Sequence, residues 1–268
     1  MNILDLNGTA TGKANLPRQF TEEYRPDIIK RAVLALQTHR LQPHSVKIGA
    51  GSRHSAYISK RRHEYRTTYG RGAARCPAKT MSHAGAHFNR VGANVPQTRG
   101  GREAHPPCIN KVIVEKINDK ERKKAIRSAL AATTIKQIVE ARNHQIADIK
   151  ELPIIIQDSF EKISKTSEVV KVLEALGLSA ELERTKEKKV RAGRGKTRGR
   201  IYKKKTGPLI VVSKRSELLD SAKNIPGVDV VEVKKLNVEL LAPGTQAGRL
   251  TVWTHAALKE MEEKKLFM

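Results

Sequence analysis

Apolar positions follow three distinct rhythms along this chain. Between Pro26 and Pro43, Ile29, Val33 and Leu36 recur at i, i+4 and i+7, one stripe of a helix that begins at a proline and stops before the next. A second stripe follows Asn118. Ile126, Leu130 and Ile138, with alanines between them, predict one long amphipathic helix ending near Asn143, and Asn118 and Glu121 have capping-box spacing. From Leu152 the rhythm changes to short continuous runs: Ile154–Ile156, Leu209–Val212, Val228–Val233 and Leu250–Trp253. Between them, Val169, Val172, Leu173 and Leu176, stopped by Gly177, and then Leu218, Leu219 and Ala222 have helical spacing. Apolar runs separated by helices predict parallel strands buried on both faces, which is the α/β class. At the start of the chain, Ile3 to Leu6 alternate weakly and end at Asn7-Gly8, the signal of a short strand or hairpin.

From His44 to Cys108 neither period is present. The segment carries Arg53, Lys60, Arg61, Arg62, Arg66, Arg71, Arg75, Lys79, Arg90, Arg99 and Arg102 against only Glu64 and Glu103. It is punctuated by glycines and closed by Pro106-Pro107. Connections longer than about 15 residues without secondary structure are uncommon inside a domain unless they are functional or disordered. A segment this polar has little with which to build a core, so it is expected to order on a partner. A second basic tract, about residues 184–205, interrupts the strand–helix alternation where a crossover would lie. Its candidate binding residues are Arg191, Arg194, Lys196, Arg198, Arg200, Lys203, Lys204 and Lys205. The expected organisation is a globular α/β domain from residues 1–43 and 109–268, with the 184–205 insertion and an extended loop at 44–108.

Charge narrows the choice of partner. Lys and Arg number 52 against 27 Asp and Glu, a formal charge of +25 and an isoelectric point near 10.2. That balance favours a polyanion, with nucleic acid the natural candidate. The basic tracts lack the Trp/Leu/Phe face of a membrane-surface helix, and no apolar run approaches the roughly 20 residues of a membrane span. Two cysteines, Cys76 and Cys108, give no disulfide framework, and the opening residues MNILDLNG lack a signal-peptide pattern, so a cytosolic location is expected.

Several residue sets were weighed for chemistry. Gly195-Lys196-Thr197 looks like the end of a phosphate-binding loop, but Val190 stands where the earlier glycine is required and no strand precedes it. Gly49-Ala50-Gly51 and Gly70-Arg71-Gly72 likewise lack the third glycine of a dinucleotide site. His83 and His87 have finger-ligand spacing, yet Cys76 and Cys108 are far apart and belong to no close cysteine pair. Lone His255 reads as a satisfied structural residue. No catalytic constellation, cofactor or metal ligand set is expected; an α/β enzyme acting on nucleic acid or a phosphorylated substrate is the competing class, and it would require convergent acids or a phosphate loop at strand ends. Positive signals are the arginines, the glycines, and the rings of Tyr57, Tyr65, Tyr69 and Phe88. Arginine forks bind phosphate bidentately, while exposed rings either stack on unpaired bases or pack on one another.

These residues carry a family resemblance. The run Ile117-Asn118-Asp119-Lys120-Glu121-Arg122 and the stretch Ala125 to Thr133 follow Gly100-Gly101-Arg102 and Ala104-His105-Pro106-Pro107. Together with Gly70-Arg71-Gly72 and Gly207-Pro208-Leu209-Ile210-Val211-Val212, this order resembles the L4 family of large-subunit ribosomal proteins in its archaeal form. The resemblance covers essentially the whole chain. It implies a three-layer α/β/α domain with a short, mostly parallel sheet, bound to large-subunit rRNA and cytoplasmic within the ribosome. It also implies a long, irregular basic loop lining the peptide exit tunnel beside another loop-bearing ribosomal protein, with the nascent peptide as a candidate contact. Homo-oligomers are not expected. Matching the family's Gly/Arg-rich segment places the tunnel-proximal tip at Tyr69, Gly70, Arg71 and Gly72, within Arg66 to Arg75, and the returning limb at Gln97 to Arg102. Bacterial members have a Trp near the tip, where this chain has Tyr65 and Tyr69.

Overall fold

All four apolar runs become neighbouring strands of one sheet. The computed structural model describes residues 1–268, which divide into two units, Met1–Arg40 with Val114–Met268, and Leu41–Ile113. In chain order come strands β1 (Asn2–Leu4) and β2 (Ala10–Lys13) and helix α1 (Pro26–Thr38). Strands β3 (Ala78–Ala84) and β4 (His87–Gly92) belong to the second unit. Then follow α2 (Asp119–Thr134), α3 (Lys136–Ala141), β5 (Ile154–Ile156), α4 (Thr166–Ala175), α5 (Ser179–Lys186), β6 (Lys188–Val190) and β7 (Tyr202–Lys204). The chain ends with β8 (Leu209–Val212), α6 (Leu218–Ala222), β9 (Asp229–Glu232), α7 (Val238–Leu241), β10 (Thr251–Thr254) and α8 (His255–Glu263).

The main sheet has the order β2-β1-β5-β10-β8-β9, parallel throughout except for the antiparallel β1–β2 hairpin at one edge. β10, last in the chain, therefore pairs with both β5 and β8. Alternate residues of its strands face opposite ways. Ile155, Leu209, Val211 and Trp253 pack with Ile29 and Val33 of α1, Ile126 and Leu130 of α2, and Leu258 and Met261 of α8. Ile154, Ile156, Ile210, Val212 and Val252 pack with Val139 of α3, Val169 and Leu173 of α4, Leu182 of α5 and Leu218 of α6. The α/β class with a mostly parallel central sheet is thus realised as helices on both faces of short strands, of which β5, β8 and β10 are wholly buried. Trp253 contributes the largest of the fully buried side chains and meets Phe20 edge-on at 5.4 Å.

Two local expectations change. The long helix after Asn118 is broken, because Ile135 is extended at φ −91°, ψ 106° between α2 and α3. Three β-branched residues meet there, and the hydroxyls of Thr133 and Thr134 donate back to the carbonyls of Leu130 and Ala131 at 2.7 and 2.8 Å. Such back-bonding competes with the helical ladder and ends it. Asn118 does occupy the N-cap position of α2, but its side chain makes no cap bond. Glu121, its expected box partner, instead reaches Arg31 of α1 at 3.0 Å.

Candidate nucleic-acid interface

The segment 41–113 is not irregular throughout. β3 and β4 form a hairpin joined at Gly85-Ala86, with Ala84 opposite His87 and Ala78 opposite Gly92. Gly85 takes φ +54°, the left-handed turn geometry glycine tolerates. The hairpin escapes the hydrophobic pattern because both of its faces are largely exposed: Lys79, Thr80, Met81, Ser82 and His83 all lie open to solvent. With no buried face, alternation carries no signal. Beneath it, Thr67 and Thr68 are buried, and both hydroxyls donate to the Ser59 carbonyl, at 3.3 and 2.9 Å. Residues 51 and 101–102 approach so closely that a Cβ on Gly51 would lie 2.5 Å from the Arg102 backbone. At the expected tip, Gly70 and Gly72 have φ +72° and +63° with open space where a side chain would project.

The aromatic residues of this unit pack on one another and on arginines. Tyr65 meets Phe88 edge-on at 5.3 Å, and His83 lies 5.7 Å from the same ring. Guanidiniums of Arg66, Arg71 and Arg90 stand 5.9, 5.8 and 4.9 Å from the Phe88 centroid. Arg62 and Arg75 flank the Tyr69 ring at 4.6 and 5.8 Å. For Tyr65 and Phe88, ring packing is therefore the arrangement found. Tyr57 is exposed and bridges to Ala78 through its backbone.

The second basic tract also contains a hairpin. β6 and β7 pair antiparallel with Lys188 opposite Lys204 and Val190 opposite Tyr202. Arg191 bonds the Arg200 carbonyl across the hairpin at 3.1 Å. Arg194, Lys196, Arg198, Arg200, Lys203 and Lys204 are exposed. The lower boundary of this insertion moves: Arg184 lies in α5 and belongs to the domain interior described below. Residues Lys196–Arg198 make a single 3₁₀ turn within this exposed tract; a strand, β6, does precede Gly195-Lys196-Thr197, but it belongs to this exposed hairpin and not to the main sheet.

Charge pairing separates these extensions from the sheet domain. Within the domain about half of the cations meet carboxylates, among them Arg25 with Asp27, Arg31 with Glu121, Arg40 with Glu239, Arg127 with Glu22 and Arg249 with Asp229. Among the nineteen basic residues singled out from the sequence, only Arg61 (to Glu64, 3.0 Å) and Lys205 (to Glu187, 2.6 Å) have a carboxylate within ion-pair distance. Lys60, Lys79, Arg99 and Arg102 are exposed, and Arg53 bonds the Ile48 carbonyl at 2.6 Å. Uncompensated cations at this density call for anions supplied from outside.

Three polar groups that the sequence pattern does not mark hold the domain. Glu161 accepts from the Ser213 amide and hydroxyl and from the Thr254 hydroxyl at 2.8, 2.9 and 2.6 Å, joining the ends of β8 and β10. Arg249 is buried just before β10. In the first turn of α5, Glu181 accepts from Arg184 at 2.7 and 2.8 Å, from His144 at 2.7 Å and from the Gln145 amide at 3.0 Å. All three appear in the sequence as ordinary surface-type residues; the one available sign is that Glu181 and Arg184 share a helix face at i, i+3.

This cluster makes stability pH-dependent. Burial pushes the Glu181 carboxyl up, but the hydrogen bonds from Arg184 and His144 outweigh it and hold the group at about 2. Burial lowers the pKa of His144, against the pull of Glu181, so the imidazole is neutral. Both groups bind protons more readily unfolded than folded, so both contributions are full above the unfolded pKa and fade on acidification. Stability is expected to decline first below about pH 6.5 and again between about pH 4.5 and 2. Glu181→Gln should cost roughly 3 kcal/mol at pH 7, with the gap to wild type closing as the pH falls below about 4.5. Denaturant titrations at a series of pH values check both limbs; a gap independent of pH would exclude the Glu181 contribution.

No group of three or more His, Cys, Asp or Glu side chains is placed to hold a metal ion. His83 and His87 lie on the two opposing strands of the hairpin, and Cys76 and Cys108 are free. His255 begins α8, and its Nδ1 is enclosed with no protein hydrogen-bond partner. No helix is long and apolar enough to cross a membrane.

Fold and charge together define a class: a parallel α/β sheet domain carrying two polycationic, carboxylate-poor extensions. Comparison with known proteins gives the particular family. The sequence model of the Ribosomal protein L4/L1 family matches residues 14–264. The chain is 48% identical over 266 residues to the large ribosomal subunit protein uL4 of Nanoarchaeum equitans, covering 99% of this chain and 98% of the relative. It is 48% identical over 262 residues to that of Methanoculleus marisnigri, and 45% identical over 262 residues to that of Archaeoglobus fulgidus, with 97% or more of each chain covered. This chain belongs to the ribosomal protein L4/L1 family, and its relatives are named as ribosomal proteins rather than enzymes.

Proposed function

We propose that the protein is a non-enzymatic constituent of the cytoplasmic large ribosomal subunit that binds large-subunit rRNA through its two basic extensions and aids subunit assembly. The observation that carries this reading is the separation of charge: about half of the Lys and Arg side chains of the α/β domain have a carboxylate within ion-pair distance, whereas seventeen of the nineteen extension residues singled out have none. Such residues neutralise phosphates and release counterions without reading sequence. On this reading residues 1–43 and 109–268 are the globular domain, and 44–108 form the loop that reaches the peptide exit tunnel. Tyr69, Gly70, Arg71 and Gly72 form its tunnel-proximal tip, near a second loop-bearing ribosomal protein and the nascent peptide. Gly70 and Gly72 support this placement because their left-handed backbone with no side chain leaves room for a close neighbour.

Residue-resolved RNA crosslinking in sedimented large subunits tests it. Adducts are expected on both extensions, at Arg66, Arg71 and Arg90 and at Arg194, Arg198 and Lys204 among others, and few on the ion-paired surface around Arg25 and Arg40. A protein that stays free while ribosomes are abundant, or adducts spread evenly over the domain, would sink the proposal.

A further inference from the structure

We infer that Phe88 is the hub of a phosphate-binding arginine cluster, and not a platform on which an RNA base stacks; this rests on the RNA-binding reading above. Five groups crowd one ring: the guanidiniums of Arg66, Arg71 and Arg90 within 5.9 Å of its centroid, Tyr65 edge-on at 5.3 Å and His83 tilted at 5.7 Å. A base could stack on Phe88 only by displacing some of these neighbours. The ring's negative face and the guanidiniums attract one another, and the arginines converge because of it.

Their orientation is further fixed by the backbone. Arg90 donates to the Arg66 carbonyl at 2.6 Å, and Arg71 donates to the Ala86 carbonyl at 2.8 Å. These bonds use one nitrogen of each fork and leave others free. Arg90 Nε is enclosed with no hydrogen-bond partner at all. No carboxylate lies within ion-pair distance of the three, and Glu64, the acid nearest Arg66 and Arg71 in sequence, is engaged by Arg61 and Ser59. Three guanidiniums around one ring, two of them held by backbone bonds and none with a counterion, suit a tetrahedral oxyanion approached from several sides, the phosphate at a bend of an RNA backbone. An acidic peptide could supply charge, but its planar, separated carboxylates suit a converging set less well. Preorganisation makes the ring count toward affinity even though it carries no charge.

The test uses the full chain, an in-vitro transcript of large-subunit rRNA, and polyglutamate as the acidic-peptide probe. Phe88→Leu keeps apolar bulk and removes the π face; Phe88→Trp keeps and strengthens it. At 0.2 M salt, Phe88→Leu should weaken transcript binding about tenfold, while Phe88→Trp stays within about twofold of wild type. The new indole's emission should change little on binding RNA, against the constant background of buried Trp253. Wild-type affinity in Phe88→Leu, emission of the Phe88→Trp protein quenched by more than half with RNA, or polyglutamate bound more tightly than the transcript would each overturn the inference. The Arg66→Gln/Arg90→Gln double variant separates the two levels. If it weakens binding and Phe88→Leu does not, the hub fails alone; if neither weakens binding, the RNA reading of this loop fails with it.

Discussion

Replacing Arg249 by methionine should lower folding stability by about 3–5 kcal/mol, seen as a lower denaturant midpoint with an unchanged slope. The side chain is 1% exposed. It donates to the carbonyls of Gly207 at 2.8 Å, Leu240 at 2.9 Å and Gly227 at 3.4 Å, and to the Asp229 carboxylate at 2.5 Å. One guanidinium thus ties together the chain entering β8, the turn before β9, helix α7 and the start of β10. Burial lowers its pKa, with Asp229 as the main opposing influence. Methionine fills much of the space but leaves the Gly207 and Leu240 carbonyls enclosed without this donor, at roughly 1–3 kcal/mol each. Asp229 is half exposed, so its carboxylate can rehydrate once Arg249 is replaced; Asp229→Asn keeps an acceptor for the buried guanidinium but removes its paired charge, and should cost a smaller share, about 1–3 kcal/mol. Equal losses in the two variants would show that the ion pair, and not the buried carbonyls, is the source.

The opposite behaviour is expected of the second hairpin. Converting Arg194, Lys196, Arg198, Arg200 and Lys204 together to glutamine should leave the unfolding transition nearly unchanged, because all five are exposed and none has a carboxylate partner. Affinity for a large-subunit rRNA transcript should nevertheless fall about 10²–10³-fold at 0.2 M salt. The slope of log K against log salt should become shallower by roughly 3.5–4.5, at about 0.7–0.9 per lost phosphate contact. Binding measured between 0.1 and 0.4 M salt reads both quantities. An unchanged slope would mean that this hairpin faces solvent or protein in the assembled particle, leaving the loop to carry the RNA contacts.

The two experiments divide the molecule as its charge pairing does. Inside the sheet domain a buried cation such as Arg249 is a structural donor with defined acceptors, and its single loss is costly. In the extensions each cation contributes a small, salt-screened increment, so an effect requires several losses together. Arg184 marks the border: it lies at the head of the basic tract in sequence, yet its guanidinium holds Glu181 and the Thr206 carbonyl at 2.7 Å.

The sequence by itself determined the class of the fold, because wholly buried parallel strands must be continuously apolar and Ile154–Ile156, Leu209–Val212 and Thr251–Thr254 are nearly so. It also located both basic tracts, since charge density is a local property that needs no partner to be read. Tertiary structure alone decided what local patterns cannot encode. β10 was inserted between β5 and β8 by long-range pairing, and the exposed β3–β4 hairpin formed with no hydrophobic alternation to announce it. The helix expected through Asn143 ended at Thr134 because two hydroxyls turned back on their own backbone. Arg249, Glu181 and Glu161 became structural because distant segments brought acceptors and donors around them; burial and hydrogen-bond partnership come from the whole fold. The same reason governs the loop: its arginines were plain in the sequence, but only the folded hairpin gathered three of them around Phe88.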